Sequence, residues 1–297
     1  MENEIFIRVG SFLTVFILIA LWEIVARRRS LTTSKKGRWF SNLGIILINT
    51  LLVRLVFPVL AVNMAIKAQQ SGWGFLNNSD LPFWLAFIIG IVALDLTIYL
   101  QHVMFHAIPT LWRLHMVHHA DLDYDMTTGL RFHPIEVMLS MGIKIAVVAA
   151  LGPPAVAVFV FEILLNGLAM FNHGNINLPL KTDRVLRYII VTPDMHRVHH
   201  SVIIRETNSN YGFNLPWWDQ LFGTYCDQPA KGHDGMTIGL SQFRDPKKLT
   251  LSWLLVLPFI GDPGRQPINR QISDHQQSWG YEEGSSKSPG PRSSGGR

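Results

Sequence analysis

Long runs of apolar residues alternate with short polar stretches over the first hundred positions of the chain. Ile5–Val25 is about 20 residues long, which is enough to cross the hydrocarbon core of a bilayer, and we expect an uncleaved anchor there. Leu43–Ile66 is a second predicted span, interrupted by Arg54 and Pro58, and Leu81–Leu100 is a third. The pattern therefore predicts three membrane-spanning helices in the N-terminal third of the chain.

Two shorter apolar stretches follow and form a pair. Ile135–Leu151 and Ala155–Phe171 are joined by Gly152-Pro153-Pro154, a sequence that cannot continue a helix. We interpret them as a re-entrant or spanning helical hairpin, since each arm is near the lower length limit for a span. Leu251–Ile260 is apolar but too short to cross.

The composition agrees with an all-α integral membrane protein. Hydrophobic residues make up 48% of the 297 residues, whereas charged residues make up only 16%, below the roughly 25% of soluble domains. We divide the chain into N-terminal membrane helices and a loop (1–80), a catalytic domain (81–262) and a polar tail (263–297) that we expect to be disordered.

The positive charge fits membrane topology better than nucleic-acid binding. The net charge is +5, and its densest cluster lies between the first two spans, from Arg27 to Arg38, with no nucleic-acid-binding motif beside it. The positive-inside rule places this loop in the cytosol. The hairpin then leaves and returns to the same face, so every histidine group is predicted on the cytosolic side, in the inner membrane of a bacterium or the endoplasmic reticulum of a eukaryote.

Histidine clusters are the strongest chemical signal. The chain has twelve histidines and one cysteine, Cys226, so neither a disulfide within the chain nor a cysteine-based metal site is expected. Spacings of three and four residues put side chains on one helix face. Eight histidines occur at such spacings in three groups: His102 and His106; His115, His118 and His119; His196, His199 and His200.

Eight imidazoles exceed what one metal ion needs. They fit two ions with positions left open for dioxygen and substrate, in a cytosolic helical cap on the membrane helices. Zinc offers no redox chemistry, whereas iron can activate dioxygen. A site beneath lipid-facing helices can meet an acyl chain or a sterol, whose unactivated C–H bonds require a metal-bound oxidant.

These motifs resemble the fatty acid hydroxylase / sterol desaturase superfamily over residues 80 to 240. The similar segments are His102-Val-Met-Phe-His106, Leu111-Trp112-Arg113-Leu114-His115-Met-Val-His118-His119, Arg131-Phe-His133-Pro134, Phe171-Asn-His173-Gly-Asn175, His196-Arg-Val-His199-His200, Asn210-Tyr-Gly212 and Trp218-Asp219-Gln-Leu-Phe222-Gly223-Thr224-Tyr225. The resemblance implies a membrane-bound non-haem di-iron enzyme that uses O2 and two electrons from an external donor of the ferredoxin or cytochrome type.

By the same resemblance, the eight clustered histidines and His173 are the iron ligands. Some relatives carry a further histidine where this chain has Ala169, so one metal is expected to have one protein ligand fewer or a water in its place. The family contains hydroxylases, desaturases and ether-cleaving oxygenases, which leaves the reaction and the lipid substrate open. A histidine-rich metal transporter or sensor is the alternative, although transporters place their ligands near the bilayer midplane.

Other polar residues carry separate predictions. Asp95 lies two helical turns before His102, so we expect it to hydrogen-bond a ligating histidine. Lys144 and Glu162 lie nine residues either side of Pro153, and we expect them to pair. His133 is interpreted as a capping or substrate-lining residue with ligation as the alternative. His233 and His275 are expected to be solvated, and Trp217-Trp218 to be either an interfacial anchor or core.

Overall fold

Helices account for all the regular structure in the described part of the chain. The structure is a computed structural model that describes residues 3–265, 267 and 268. Two isolated β-bridges are the only strand-like pairings among these residues. The predicted tail, including His275, lies almost entirely outside the described residues.

The membrane region contains six helices in chain order. They are α1 (Glu4–Val25), α2 (Lys35–Val56), α3 (Ala61–Gln70), α4 (Phe83–Ala107), α6 (Pro134–Leu151) and α7 (Ala155–Asn172). The remaining helix in this part of the chain, α5 (Pro109–His119), is a shorter helix that connects α4 to α6 and is not counted among the six. Five segments are long and apolar enough to cross a membrane when α2 and α3 are taken as one. The apolar side chains on the outer faces of α1 and α2 are exposed, as at Leu18 and Leu51, each 60% exposed. Such surfaces suit lipid, and the chain is an integral membrane protein.

The second span differs from its prediction. The apolar stretch predicted one element over Leu43–Ile66, but the helix begins at Lys35 and breaks after Val56, and α3 begins at Ala61. Pro58 explains the break, because proline has no N–H to donate and its ring clashes with the carbonyl four residues earlier. The third span also runs further than predicted, so His102 and His106 lie in its own last turns.

The hairpin forms as predicted, with a glycine at its turn. Gly152 ends α6 with a φ of 66°, a left-handed conformation that glycine adopts without steric cost. Lys144 Nζ lies 2.8 Å from Glu162 Oε1, which confirms the predicted pair, and Arg8 of α1 joins the same carboxylate at 2.7 Å. Apolar residues of α3, α4, α6 and α7 pack together in one core.

A compact cap covers one end of the bundle. Its short helices are α8 (Leu180–Leu186), α9 (Pro193–His199), α10 (Ile204–Thr207), α11 (Trp217–Leu221), α12 (Gly232–Gly235) and α13 (Leu251–Ile260). Helix α13, predicted to be too short to span, packs Leu254 and Leu257 against Trp112 and Met116 of α5. The basic loop is at the same end, where the backbone N–H of Arg28 donates to the carbonyl of Asn175 at 3.0 Å.

Candidate metal centre

The ends of four helices meet beneath the cap and bring the clustered histidines together. His102 and His106 extend from α4, three histidines from α5, and His196 and His199 from α9. His200 and His173 are the C-cap residues that directly follow α9 and α7. Pro109 and Pro193 start α5 and α9 at a position where proline is well tolerated. Each predicted histidine box therefore lies on a helix or includes the residue that directly follows it.

All nine predicted histidines converge, and they divide into two sets. The first set is His102, His106, His115, His119 and His199, and the second is His118, His173, His196 and His200. Within each set, one ring nitrogen from every residue lies within 4.8 Å of the others. The two sets adjoin, because the rings of His119 and His200 are 4.6 Å apart. The expectation that one metal has one protein ligand fewer, because of Ala169, stays a prediction.

The nitrogen separations test whether the sets fit metal ions. Nε2 of His102 and His115 are 3.1 Å apart, and so are Nε2 of His118 and His173. Two ligands at right angles, each about 2.1 Å from an ion, would be about 3.0 Å apart. In each set this separation therefore suits two ligands of one first-row transition metal ion.

Burial keeps these rings neutral, which is the form that binds metal. Desolvation lowers the pKa of both His115 and His173 to about 3. It also lowers the pKa of His119 and His200 well below 6.5. Both ring nitrogens of His119, His196 and His200 lack a hydrogen-bond partner although the residues are fully buried. Unpaired buried nitrogens are costly, and coordination to a metal would satisfy one in each ring.

A second layer of acceptors fixes the ring orientations. The Nδ1 atoms of His102, His199 and His173 face the backbone carbonyls of Tyr211, Ser209 and Ala169, each at 2.7 Å. His106 Nδ1 lies 3.1 Å from Asn208 Oδ1. Such contacts leave Nε2 free to face a metal.

Glu136 is a site residue that the sequence interpretation missed. Its Oε1 accepts from His115 Nδ1 at 2.6 Å, and the carboxylate is 4% exposed. The available signal was a carboxylate in an otherwise apolar stretch near the bilayer, a placement that marks functional candidates. The contact makes a carboxylate–histidine arrangement, which would raise the basicity of His115 if this ring binds a metal.

The downstream motif serves the site through its backbone. Asp219 accepts from the backbone N–H of Tyr211 and of Gly212, both at 2.8 Å. Burial raises the pKa of Asp219 to about 6. A side chain at Gly212 would approach Asp219 Oδ2 to 2.8 Å, so only glycine fits there. Asp219 thereby holds the carbonyl of Tyr211 against His102.

A buried ion-pair network fixes the loop after α5. Arg38, placed by sequence in a topogenic loop, is only 2% exposed and binds Asp121 and Asp125, each at 2.7 Å. Arg131 lies 3.5 Å from Asp121, and the two arginines hold the pKa of that carboxyl well below its usual range. Asp121 lies two residues after His119, the last residue of α5, so the network anchors the end of that helix.

A cavity of about 660 Å³ extends from the histidines into the membrane region. Its lining includes His102 and His115 and also the ion-paired Arg8, Lys144 and Glu162. The rest of the lining is largely apolar. The volume and lining suit an acyl chain or a similar amphipathic molecule.

The structure corrects the sequence-based expectations for Asp95 and His233 and selects one of the roles expected for His133. Asp95 does not bond a histidine: its Oδ2 accepts from Trp218 Nε1 at 2.8 Å, because the loop before α11 folds onto α4. His233 is not solvated but 7% exposed, since α12 packs on α9 near Asp194. His133 is a capping residue, accepting from the N–H of Ile135 at 3.2 Å, and lies outside both histidine sets.

The two tryptophans have different environments. Trp217 is 47% exposed and donates to the carbonyl of Tyr188, whereas Trp218 reaches inward to Asp95. The first fits an interfacial position and the second belongs to the packing between α11 and α4.

Fold and site together define an integral membrane protein with two adjoining buried histidine sets. Residues 87–224 match the model of the family described as fatty acid hydroxylase. This match and the relatives below confirm that the chain is related to the fatty acid hydroxylase / sterol desaturase superfamily. No solved structure matches the chain.

Three characterised proteins show the range of similar sequences. An ornithine lipid hydroxylase of Rhizobium tropici is 27% identical over 73% of this chain and 66% of its own length. An alkylglycerol monooxygenase of Danio rerio is 33% identical over 58% of this chain and 38% of its own. A very-long-chain aldehyde decarbonylase of Oryza sativa subsp. indica is 26% identical over 57% of this chain and 28% of its own length. The chain thus covers less than two thirds of each relative.

Proposed function

We propose that this chain is a membrane-bound non-haem di-iron oxidoreductase that uses O2 to hydroxylate or desaturate a lipid. The observation that carries the proposal is the convergence of nine buried histidines in sets of five and four. Similarity to an ornithine lipid hydroxylase and to alkylglycerol monooxygenases supports a lipid oxygenase over other metal enzymes.

The two sets would hold one iron each, with the nine histidines as ligands. Bound iron would supply the dioxygen chemistry that amino-acid side chains lack. The protein's own contribution is to keep the imidazoles neutral and to orient them through Glu136 and the carbonyls of Tyr211 and Ser209. The cavity would hold an acyl chain or sterol with one end at His102 and His115.

The two reducing equivalents would come from a ferredoxin- or cytochrome-type donor. We place the cap in the cytosol, because the Arg27–Arg38 loop lies at the same end of the bundle as the histidines. Single cysteines at Lys36 and Lys181, in a Cys226→Ser background, should both label from the cytosolic side. Labelling from opposite sides would contradict this topology.

The activity test is direct. Purified, iron-loaded protein in lipid vesicles, supplied with O2 and a reducing system, should add one oxygen to a lipid or remove two hydrogens from it. Isotopically labelled O2 and mass spectrometry distinguish these products. The His119→Ala variant is the negative control, and equal product from it would refute the proposal.

A metal transporter remains the second candidate function. It is disfavoured because the histidines cluster at helix ends under the cap, whereas transporter ligands lie near the bilayer midplane. Ion uptake into vesicles by the wild type, without lipid oxidation, would favour it.

A further inference from the structure

Gln101 is a buried side chain with no visible partner. It is 6% exposed, and neither Oε1 nor Nε2 of its amide makes a hydrogen bond to the described residues. Leaving a buried amide unpaired is costly, so such groups in native proteins bind water or a ligand. Gln101 lines the cavity, which points to a ligand inside it.

Two further unpaired acceptors line the same cavity. Asn49 donates to the carbonyl of Phe132, which leaves its Oδ1 without a partner, and Asn49 is 5% exposed. Glu136 uses Oε1 for His115 and leaves Oε2 unpaired. All three residues line the cavity that reaches the histidines.

Each of these groups is linked to a histidine of the candidate metal centre. Gln101 directly precedes His102, Glu136 contacts His115, and the Phe132 ring stacks on that of His118 with centroids 4.4 Å apart. Glu162 also lines the cavity, but it already binds Lys144 and Arg8. The unsatisfied hydrogen-bonding capacity is therefore concentrated beside the histidines.

The inventory of unpaired atoms defines the chemistry of the missing partner. Gln101 Nε2 can donate, whereas Gln101 Oε1 and Asn49 Oδ1 can only accept, and Glu136 Oε2 accepts when the carboxylate is ionised. An ether or ester oxygen cannot donate to these acceptors, and an ammonium group cannot accept from Nε2. A hydroxyl or a carboxamide is neutral and can do both: it accepts from Gln101 Nε2 and donates to one of the acceptors.

We propose that Gln101 is a specificity-determining residue that, with Asn49 and Glu136, binds a hydroxyl or carboxamide of the lipid beside the histidines. This inference rests on the proposed function and narrows its substrate class. The oxidised carbon then lies close to that polar group, and not in the middle of an unsubstituted chain.

Binding can be measured without turnover. Purified full-length protein in nanodiscs is titrated with a long-chain primary alcohol, the matching carboxamide and the methyl ether of the alcohol. The wild type should bind the alcohol, the carboxamide or both about three- to tenfold more tightly than the ether. This is the ratio of affinities that one net hydrogen bond produces. The alcohol and carboxamide arms show which group is preferred.

Gln101→Met keeps the side-chain volume and removes both polar atoms, so it should bind all three probes equally. Gln69→Met is the matched control, since Gln69 is exposed on α3 and does not line the cavity. The inference is overturned if the wild type binds the ether as tightly as the alcohol and the carboxamide, as when water alone occupies the site. It is also overturned if Gln101→Met still binds the ether more weakly than the other two probes. Discrimination by a wild-type protein that oxidises no lipid would refute the proposed function and leave this inference standing.

Discussion

Removing the Glu136 carboxylate should weaken metal binding while leaving the fold intact. In Glu136→Ala, His115 loses the acceptor 2.6 Å from its Nδ1, so the ring is no longer held with Nε2 towards the first histidine set. Loss of such a contact typically costs 10- to 100-fold in metal affinity, about 1.4–2.7 kcal/mol. The unpaired, buried N–H would add about 1–3 kcal/mol of lost stability.

Iron affinity measured by competition with a chelator, together with thermal unfolding in detergent, tests this expectation. Glu136→Gln should fall between wild type and Glu136→Ala, because its amide oxygen can still accept from Nδ1. Glu162→Ala is the matched control: it removes a buried carboxylate from the neighbouring span, where the partners are Lys144 and Arg8, and should reduce stability without changing iron affinity. Wild-type iron affinity in Glu136→Ala would refute the reasoning.

Three further outcomes are expected. Gly129→Ala should displace His173 and lower the free energy of unfolding by about 1–3 kcal/mol through overpacking, because the new Cβ would lie 2.9 Å from Nδ1 of His173. Gly10→Ala is the control in the unfolding measurements, since no atom lies within 4 Å of the Cβ that it would add. Asp219→Ala should destabilise the protein by about 2–4 kcal/mol, since two buried backbone N–H groups lose their acceptor, and Asp219→Asn by less. The metal-free protein should lose stability as pH falls below about 6.5, because residues such as His115 (pKa about 3) bind protons only on unfolding; an unfolding midpoint that is flat or rises towards acid would contradict this.

The sequence predicted the helices and the site residues from different signals. Apolar length and the Gly152-Pro153-Pro154 turn were enough to predict the hairpin, and histidine spacing was enough to select eight of the nine residues that converge. The ninth, His173, followed only from the family resemblance. Spacing could not assign them to sets: the neighbours His118 and His119 belong to different ones. That division depends on where the end of α9 and His173 lie in three dimensions.

Contacts between distant segments could not be predicted from local patterns. Asp95 is in register with His102 along α4, yet its partner is Trp218, which is 123 residues away in the chain. Glu136 pairs with His115 across 21 residues, and Arg38 with Asp121 across 83. Such partners depend on how the cap and the loops fold onto the bundle, which periodicity does not encode.

Metal stoichiometry in matched variants tests the central claim most directly. Protein expressed with iron and purified in mild detergent should contain two irons per chain by elemental analysis. His106→Ala, which removes a member of the set of five, and His196→Ala, which removes a member of the set of four, should each lower iron content, whereas the capping variant His133→Ala should keep both ions. One metal or none in the wild type, or full iron content after loss of His196, would contradict a dinuclear site built from these nine histidines.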